Sequence, residues 1–508
     1  MPKKKKKDRP IFKGRSHKSF LNQCRLKLVT LGISHFFLIK QFYFVIEYTS
    51  MKNNDKRLTL KSFGILNLAI VIATIVIYAF QLGATYINRF LSTSYEKTTL
   101  FYSLVFTIVF LLGVLEFLIL YISRINNLSL KAMTFLVKEG YKPRFITAIS
   151  TVFITSLISM LMGLSLGGEA PSLYLSGASF CLVFYFFYRK EANGRNIISD
   201  VIWLGGATGF GLAFQNPLAG LMMSLVGMKL KDIRWDKCFA CLYSNILGCG
   251  LFGLLRMAYY PGETKMWIDN FMYPEYMNAE FSQLSGNGYL VLMLIPGLCL
   301  ICAFIYILLI CGFRKLITRD HFWSYGLSLL LAVLISGLTF IYYGPMLSGS
   351  GISIIANRAL YPDLTLIFTM IGVRLALTLV SFDGQFFGGM VIPTISMGCL
   401  IGQAFIGTIQ WSNTSYITNN DIEILLVVSM ITFYACVSAK PFVALALMFS
   451  FLPFHIVILP ALASIIPIGL TIKFSKFQGL SKQISKIDDE DGVVYFHRRI
   501  HIRNFIRL

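Results

Sequence analysis

Charge is scarce in this chain, and negative charge scarcest: 24 Asp and Glu and 46 Lys and Arg stand among 508 residues. That is 14% of the sequence, against roughly 25% in a soluble domain. A solvated globular surface is thereby excluded. Histidine is rarer still, with six scattered copies, and none lies near either of the two Cys-x-x-Cys pairs, Cys238/Cys241 and Cys299/Cys302. Those pairs fall in apolar stretches, with Cys241 and Cys299 58 positions apart, which does not suit a zinc site. The ten cysteines read as small buried residues, and neither a metal nor any other cofactor is expected.

Hydrophobic residues, in contrast, make up 56% of the chain. Residues 64–91, 99–122, 287–312 and 361–382 are runs of the length that crosses a bilayer, about 20 residues. The sequence predicts an all-α polytopic membrane protein. Its excess of 22 positive charges is uneven: residues 1–63 hold 16 Lys/Arg against 3 acids, and residues 471–508 hold 8 against 4. The lysine run "MPKKKKKDRP" reads as a tail kept cytosolic by the positive-inside rule, with attraction to anionic lipid, rather than as a nucleic-acid binder. Residues 26–49 carry Lys27 and Lys40 in an apolar setting, which suits an interfacial helix.

The chain also repeats itself. "GGEAPSLYLSG" (167–177) resembles "GGMVIPTISMG" (388–398), and "NPLAGLMMSL" (216–225) resembles "KPFVALALMF" (440–449). Pro171 precedes Pro217 by 46 residues and Pro393 precedes Pro441 by 48. Two matched elements at matched spacing predict a duplicated unit. The expected organisation is a basic tail and interfacial helix at 1–63, a first membrane half at 64–230, a linking helix and hydrophilic segment at 231–286, a second half at 287–473, and a second basic tail at 474–508. Such halves have inverted topology in many transporters, with substrate held near the midplane by broken helices.

Each Gly-Gly-Pro element (Gly167, Gly168 and Pro171; Gly388, Gly389 and Pro393) reads as the start of a helix inside the membrane, because proline in the first turn removes an N–H that would lack a partner anyway. A helix start presents backbone N–H groups and about half an elementary positive charge, which together make an anion site. Two of them meeting between the halves would hold one small anion through dipoles rather than fixed charges, weakly enough to release it. Glu169 stands at the first of these starts. An intramembrane acid is functional by default: as a carboxylate it would occupy the anion's place, and once protonated it would leave. Glu116, in another apolar run, reads equally as a proton-carrying group or as a buried acid with a partner elsewhere. Arg374 and Asp383 read as a structural pair or interfacial charges.

At these residues the sequence resembles the CLC family of chloride channels and chloride/proton exchangers. The family's G-[K/R]-E-G-P motif is matched by Gly167-Gly168-Glu169-Ala170-Pro171, and its G-x-F-x-P motif by Gly389-Met390-Val391-Ile392-Pro393. "FQNPLAGLMMSL" (214–225) and "VRLALTL" (373–379) resemble family helices beside these motifs, and the likeness runs over residues 64–482. It implies a CLC-like inverted repeat with many tilted and broken helices, and a homodimer with one anion pathway per subunit. Glu169 would be the gating glutamate, and amides near Gly168, Glu169, Ala170, Met390 and Val391 would line a chloride site.

Departures from the family's pattern bear on coupling. Its chloride-binding serine motif is not recognisable before Glu169, where "RINNLSLKAM" leaves Ser129 or Asn127 as substitutes. The pore tyrosine aligns with Ser481, and the internal proton-accepting glutamate aligns with Gly227. Proton coupling is therefore in doubt. The expected function is transport of a small inorganic anion, chloride first, by a non-enzyme in a cell (inner) membrane. The alternatives are an unrelated inverted-repeat transporter of organic anions and a degenerate family member that moves no ion.

Overall fold

A computed structural model describes residues 56–95, 99–123, 144–190, 194–226, 235–259, 284–316, 322–356, 363–383, 386–412, 416–438 and 440–452, together with 130, 133, 134, 137, 460–465 and 469. Residues 1–55 of the first tail, with the segment 26–49, the whole of the second tail and most of the hydrophilic segment 261–286 lie outside the described residues, while residues 56–63 open the first helix. The chain divides into two units. The smaller takes in Met1–Gly64 with Arg234–Ala240, and the larger Ile65–Ile233 with Cys241–Leu508. Both glycine-proline elements belong to the larger unit.

Helices α1 (Lys56–Tyr95), α2 (Thr99–Ser123), α3 (Phe145–Leu161), α4 (Glu169–Tyr188), α5 (Gly194–Phe214) and α6 (Pro217–Ser224) precede the linking helix α7 (Trp235–Tyr259). After it come α8 (Gly286–Leu316), α9 (Phe322–Tyr343), the short α10 (Ile352–Ala356), α11 (Leu364–Asp383), α12 (Val391–Ser412), α13 (Asn419–Ser438) and α14 (Pro441–Met448). Among the described residues nine helices are long and apolar enough to cross a membrane, and none of the regular elements is a strand. Two long helices open each series. In both, the glycine-proline helix (α4, α12) is followed by another long helix (α5, α13) and an eight-residue helix opened by proline (α6, α14). The duplication read from two short motifs thus extends to whole elements.

Between apolar helices in lipid there is little hydrophobic drive, so close packing of small residues carries association. The paired elements show it alike. On α5, a Cβ at Gly209 would run into Ser176 Cβ and the Ser172 carbonyl of α4. On α12, a Cβ at Gly398 would lie 2.9 Å from Met430 Cα of α13. The halves then share one core, in which Phe210, Phe214 and Ala219 of the first pack with Ile392, Ile395, Tyr434 and Val443 of the second.

Polar ties cross the same boundary. Asn216 caps α6 by accepting from the Ala219 N–H at 3.0 Å, and its amide nitrogen donates to the Ala446 carbonyl at 2.9 Å and Ser450 Oγ at 2.7 Å beyond α14. The turn after α3 and the turn before α10 meet as well: the Gly349 N–H donates to the Gly163 carbonyl at 2.8 Å. Both glycines hold φ near +70° (72° and 71°), a left-handed conformation that other residues seldom adopt.

Candidate functional site

The two glycine-proline elements lie side by side. Gly167 and Gly389 form an isolated antiparallel bridge, exchanging N–H···O bonds of 2.8 and 2.7 Å. Each residue gives and takes one bond, as a two-fold axis through the bridge requires. The chain then turns into α4 on one side and α12 on the other. The first helical bonds are those from Ser172 N–H to the Gly168 carbonyl and from Thr394 N–H to the Met390 carbonyl, both 3.0 Å. An α-helix leaves its first N–H groups without intrahelical acceptors. Here Pro171 and Pro393 remove one from each set, which leaves Glu169 and Ala170 on α4 and Val391 and Ile392 on α12. Two helix starts, one from each half, therefore stand against each other, and the amides of Glu169, Val391 and Ile392 face one spot.

Glu169 occupies that spot. Its side chain is 2% exposed, and Oε1 accepts a hydrogen bond from the Ile392 N–H. The amides of Val391 and of Glu169 itself also face the carboxyl. The carboxyl of the first half thus sits on the helix start of the second, and α12's partial positive charge favours it there. Oε2 is buried without a hydrogen-bond partner. No lysine, arginine or histidine occurs in residues 162–172 or 386–396, so the nearby sequence supplies dipoles and no cation.

Small residues make the room. A Cβ at Gly167 would fall on the Glu169 carboxyl, and one at Gly389 would lie 2.5 Å from Oε2 and 2.9 Å from the Ala170 nitrogen. At Gly168 it would touch Phe80 and Met160 at 3.2 and 3.3 Å, and at Gly388 it would strike Leu166. Ala170 is exposed, and Gly168, Gly388, Met390 and Val391 are half-buried, so the recess opens beside the carboxyl. Gly209→Ala, whose added methyl would run into the Ser172 carbonyl, is expected to cost about 1–3 kcal/mol through overpacking. Gly372→Ala on α11, where nothing lies within 4 Å of the added methyl, should be neutral or stabilising by up to about 1 kcal/mol. Thermal unfolding of both variants in detergent checks the pair, and equal midpoints would contradict the crowding at Gly209.

Among the residues named from sequence, the structure brings together Gly167, Gly168, Glu169, Ala170, Pro171, Gly388, Gly389, Met390, Val391 and Pro393. Ser129, Asn127, Gly227 and Ser481 lie outside the described residues. Two residues were missed. Ile392 is the principal donor to Glu169, one position beyond Val391 in the same first turn. Tyr434 of α13 is 3% exposed, interacts electrostatically with Glu169 and pairs its hydroxyl with Ser438; a phenol inside the apolar run "ITFYACV" was the available signal. Arg374 lies in α11 with its guanidinium on the backbone carbonyls of Leu347, Gly349 and Ser350, so its role is structural and its partners are main-chain atoms.

These features define a multi-pass integral membrane protein whose broken helices start against one another at the centre of a duplicated bundle. The chain belongs to the voltage gated chloride channel family, whose sequence model matches residues 130–467. It is 25% identical over 278 residues to the H(+)/Cl(-) exchange transporter ClcA of Vibrio cholerae, a match taking in 53% of this chain and 54% of that one. A chloride/fluoride channel protein of Pseudomonas syringae pv. tomato is 26% identical over 118 residues, 23% of this chain and 25% of that protein. The chain therefore spans about half the length of the first of these curated relatives. Among solved structures, a slow cyanobacterial Cl-/H+ antiporter superposes with a TM-score of 0.66 at 13% identity, covering 83% of this chain and 97% of that one. A CLC-type fluoride/proton antiporter gives 0.60 at 18%, covering 82% and 96%. The fold is the CLC fold.

Proposed function

We propose that this protein carries a small inorganic anion, chloride first, across a cell membrane through the recess between α4 and α12, with Glu169 as a protonatable gate. The observation that carries the reading is the Glu169 carboxyl seated on the Ile392 N–H. A buried carboxylate on amides of the opposite half is itself a small anion at a helix start, so the same amides suit a halide once the side chain moves. The absence of a cation from the flanking sequence supports release as well as binding, since a guanidinium would hold the ion too firmly for turnover. Protonation cancels the charge that holds Glu169 in place, which frees the amides for the permeant ion. Tyr434 supplies a phenol near the carboxyl, the group that the family's pattern has at the position of Ser481. A homodimer with both basic tails in the cytosol follows from the family resemblance and the charge distribution.

The test is anion efflux from proteoliposomes loaded in turn with chloride, fluoride, nitrate and a small organic acid. Chloride efflux well above that of protein-free vesicles, with the organic acid retained, is the expected result. Release of the organic acid in preference would favour an unrelated transport cycle, and flux of no anion would favour a non-transporting role.

A further inference from the structure

A second carboxyl reaches the same short segment that carries Glu169's partners. Glu116 of α2 is fully buried. Its Oε1 accepts from Ser159 Oγ of α3 at 2.8 Å, and the Phe387 N–H also faces the carboxyl. Its Oε2 has no hydrogen-bond partner. Phe387 stands two residues before Gly389, about 7 Å of extended chain, and a Cβ at Gly389 would lie 2.5 Å from Glu169 Oε2. Residues 387–392 therefore hold one buried acid at each end, and each acid keeps one oxygen unpartnered.

Hydroxyl groups continue outward from Glu116. Thr151, Thr155 and Ser159 recur every four residues on the buried face of α3, a single row along about 12 Å of helix. Each hydroxyl both donates and accepts. Of the described elements packed on α2, namely α3 and α9, neither contains Asp, Glu, Lys, Arg or His. The apolar cluster around them also includes Ile87 and Leu91 of α1, whose Arg89 is exposed, and residues of α11 and α8. Arg374 of α11 is committed to the carbonyls already named, while the side chains of Asp383, Arg314 and Lys315 lie outside the described residues. The groups facing Glu116 are thus a hydroxyl and an amide.

We propose that Glu116 is a second proton-handling carboxyl, which exchanges protons with Glu169 alongside Phe387–Gly389. This rests on the reading of Glu169 as the gate and deepens it by assigning a proton route. In the forward step the O–H of neutral Glu116 breaks and an O–H forms on the Glu169 carboxylate, with water handing the proton across. Glu116 is left as a carboxylate held by Ser159 and Phe387, and regains its proton from water along the α3 row. Gly227, where the family's pattern has an acid, is then bypassed.

Chloride and proton movements recorded together in proteoliposomes under a chloride gradient test this. Wild-type protein is expected to move protons against the chloride flow, and Glu116→Gln to lower the number of protons moved per chloride by about tenfold or more, as removal of a proton-transfer group does. Glu116→Asp, which keeps the acid but withdraws it by one methylene, should lower that ratio less and shift its pH profile; it also decides the matter if the glutamine variant does not fold. An unchanged ratio in both variants, or in the aspartate variant alone where the glutamine one does not fold, overturns the proposal. A wild-type chain that moves chloride without protons overturns the relay while leaving the anion reading intact. A chain that moves no chloride fails at the reading itself.

Discussion

Glu169→Gln is expected to raise chloride flux at neutral pH by about ten- to a hundredfold and to flatten its pH dependence. The side chain keeps its shape but loses the charge that seats it on the α12 amides. Hydrogen bonds to a charged group contribute about 1.5–3 kcal/mol, and each 1.4 kcal/mol is about a factor of ten. In the wild type the sign follows from competition. With Glu169 as the gate, the carboxylate should occupy the amides at high pH and exclude the anion. As pH falls, uptake of a proton should release it from the helix start and raise flux. The glutamine variant is locked in the neutral condition, so its flux at pH 7 should match the wild-type level on the acid side. Stopped-flow or electrode measurement of chloride efflux from pH 5 to 8 checks this. A variant with the wild-type level and slope would remove Glu169 from the gate.

Arg374→Leu should produce the largest loss of stability, about 1–3 kcal/mol for each buried carbonyl left without its donor. The arginine is fully buried and donates to the Leu347 carbonyl at 2.8 Å, the Gly349 carbonyl at 2.6 Å and the Ser350 carbonyl. These carbonyls belong to a turn whose Gly349 and Gly351 sit at φ of 71° and 90°. A Cβ at Gly351 would strike Ser396 Oγ of α12 and approach Arg374 Nη2 to 2.5 Å, so the turn lies directly against the first turns of that helix. Arg374→Lys should lose less, since an ammonium can still donate to a carbonyl, yet fall short of the wild type because it lacks the planar guanidinium fork. Thermal midpoints and the monodisperse fraction in detergent rank the three proteins. A leucine variant as stable as the wild type would show that the turn holds its shape without the side chain.

How much of this was legible beforehand depends on the kind of interaction. The helix starts were legible because glycine and proline act through the backbone at their own positions, and their duplication at nearly equal spacing singled them out. Glu169 stood out because an acid in an apolar run has few structural explanations. What was hidden runs through main-chain atoms, which leave no complementary residue in the sequence. Ile392 donates through its N–H, and nothing about an isoleucine marks it apart from Val391. Arg374 was read with Asp383 as a structural pair or as interfacial charges, and its acceptors among the described residues are the carbonyls of a leucine, a glycine and a serine. Glu116 was left between two roles because its partner Ser159 is 43 residues away, in a helix whose hydroxyl row had drawn no attention.

The Gly167–Gly389 bridge has a consequence for biogenesis. Its two glycines stand 222 positions apart, so the ribosome must deliver the whole first half and more than half of the second before the two helix starts can meet. Their pairing is therefore set by elongation as well as by folding.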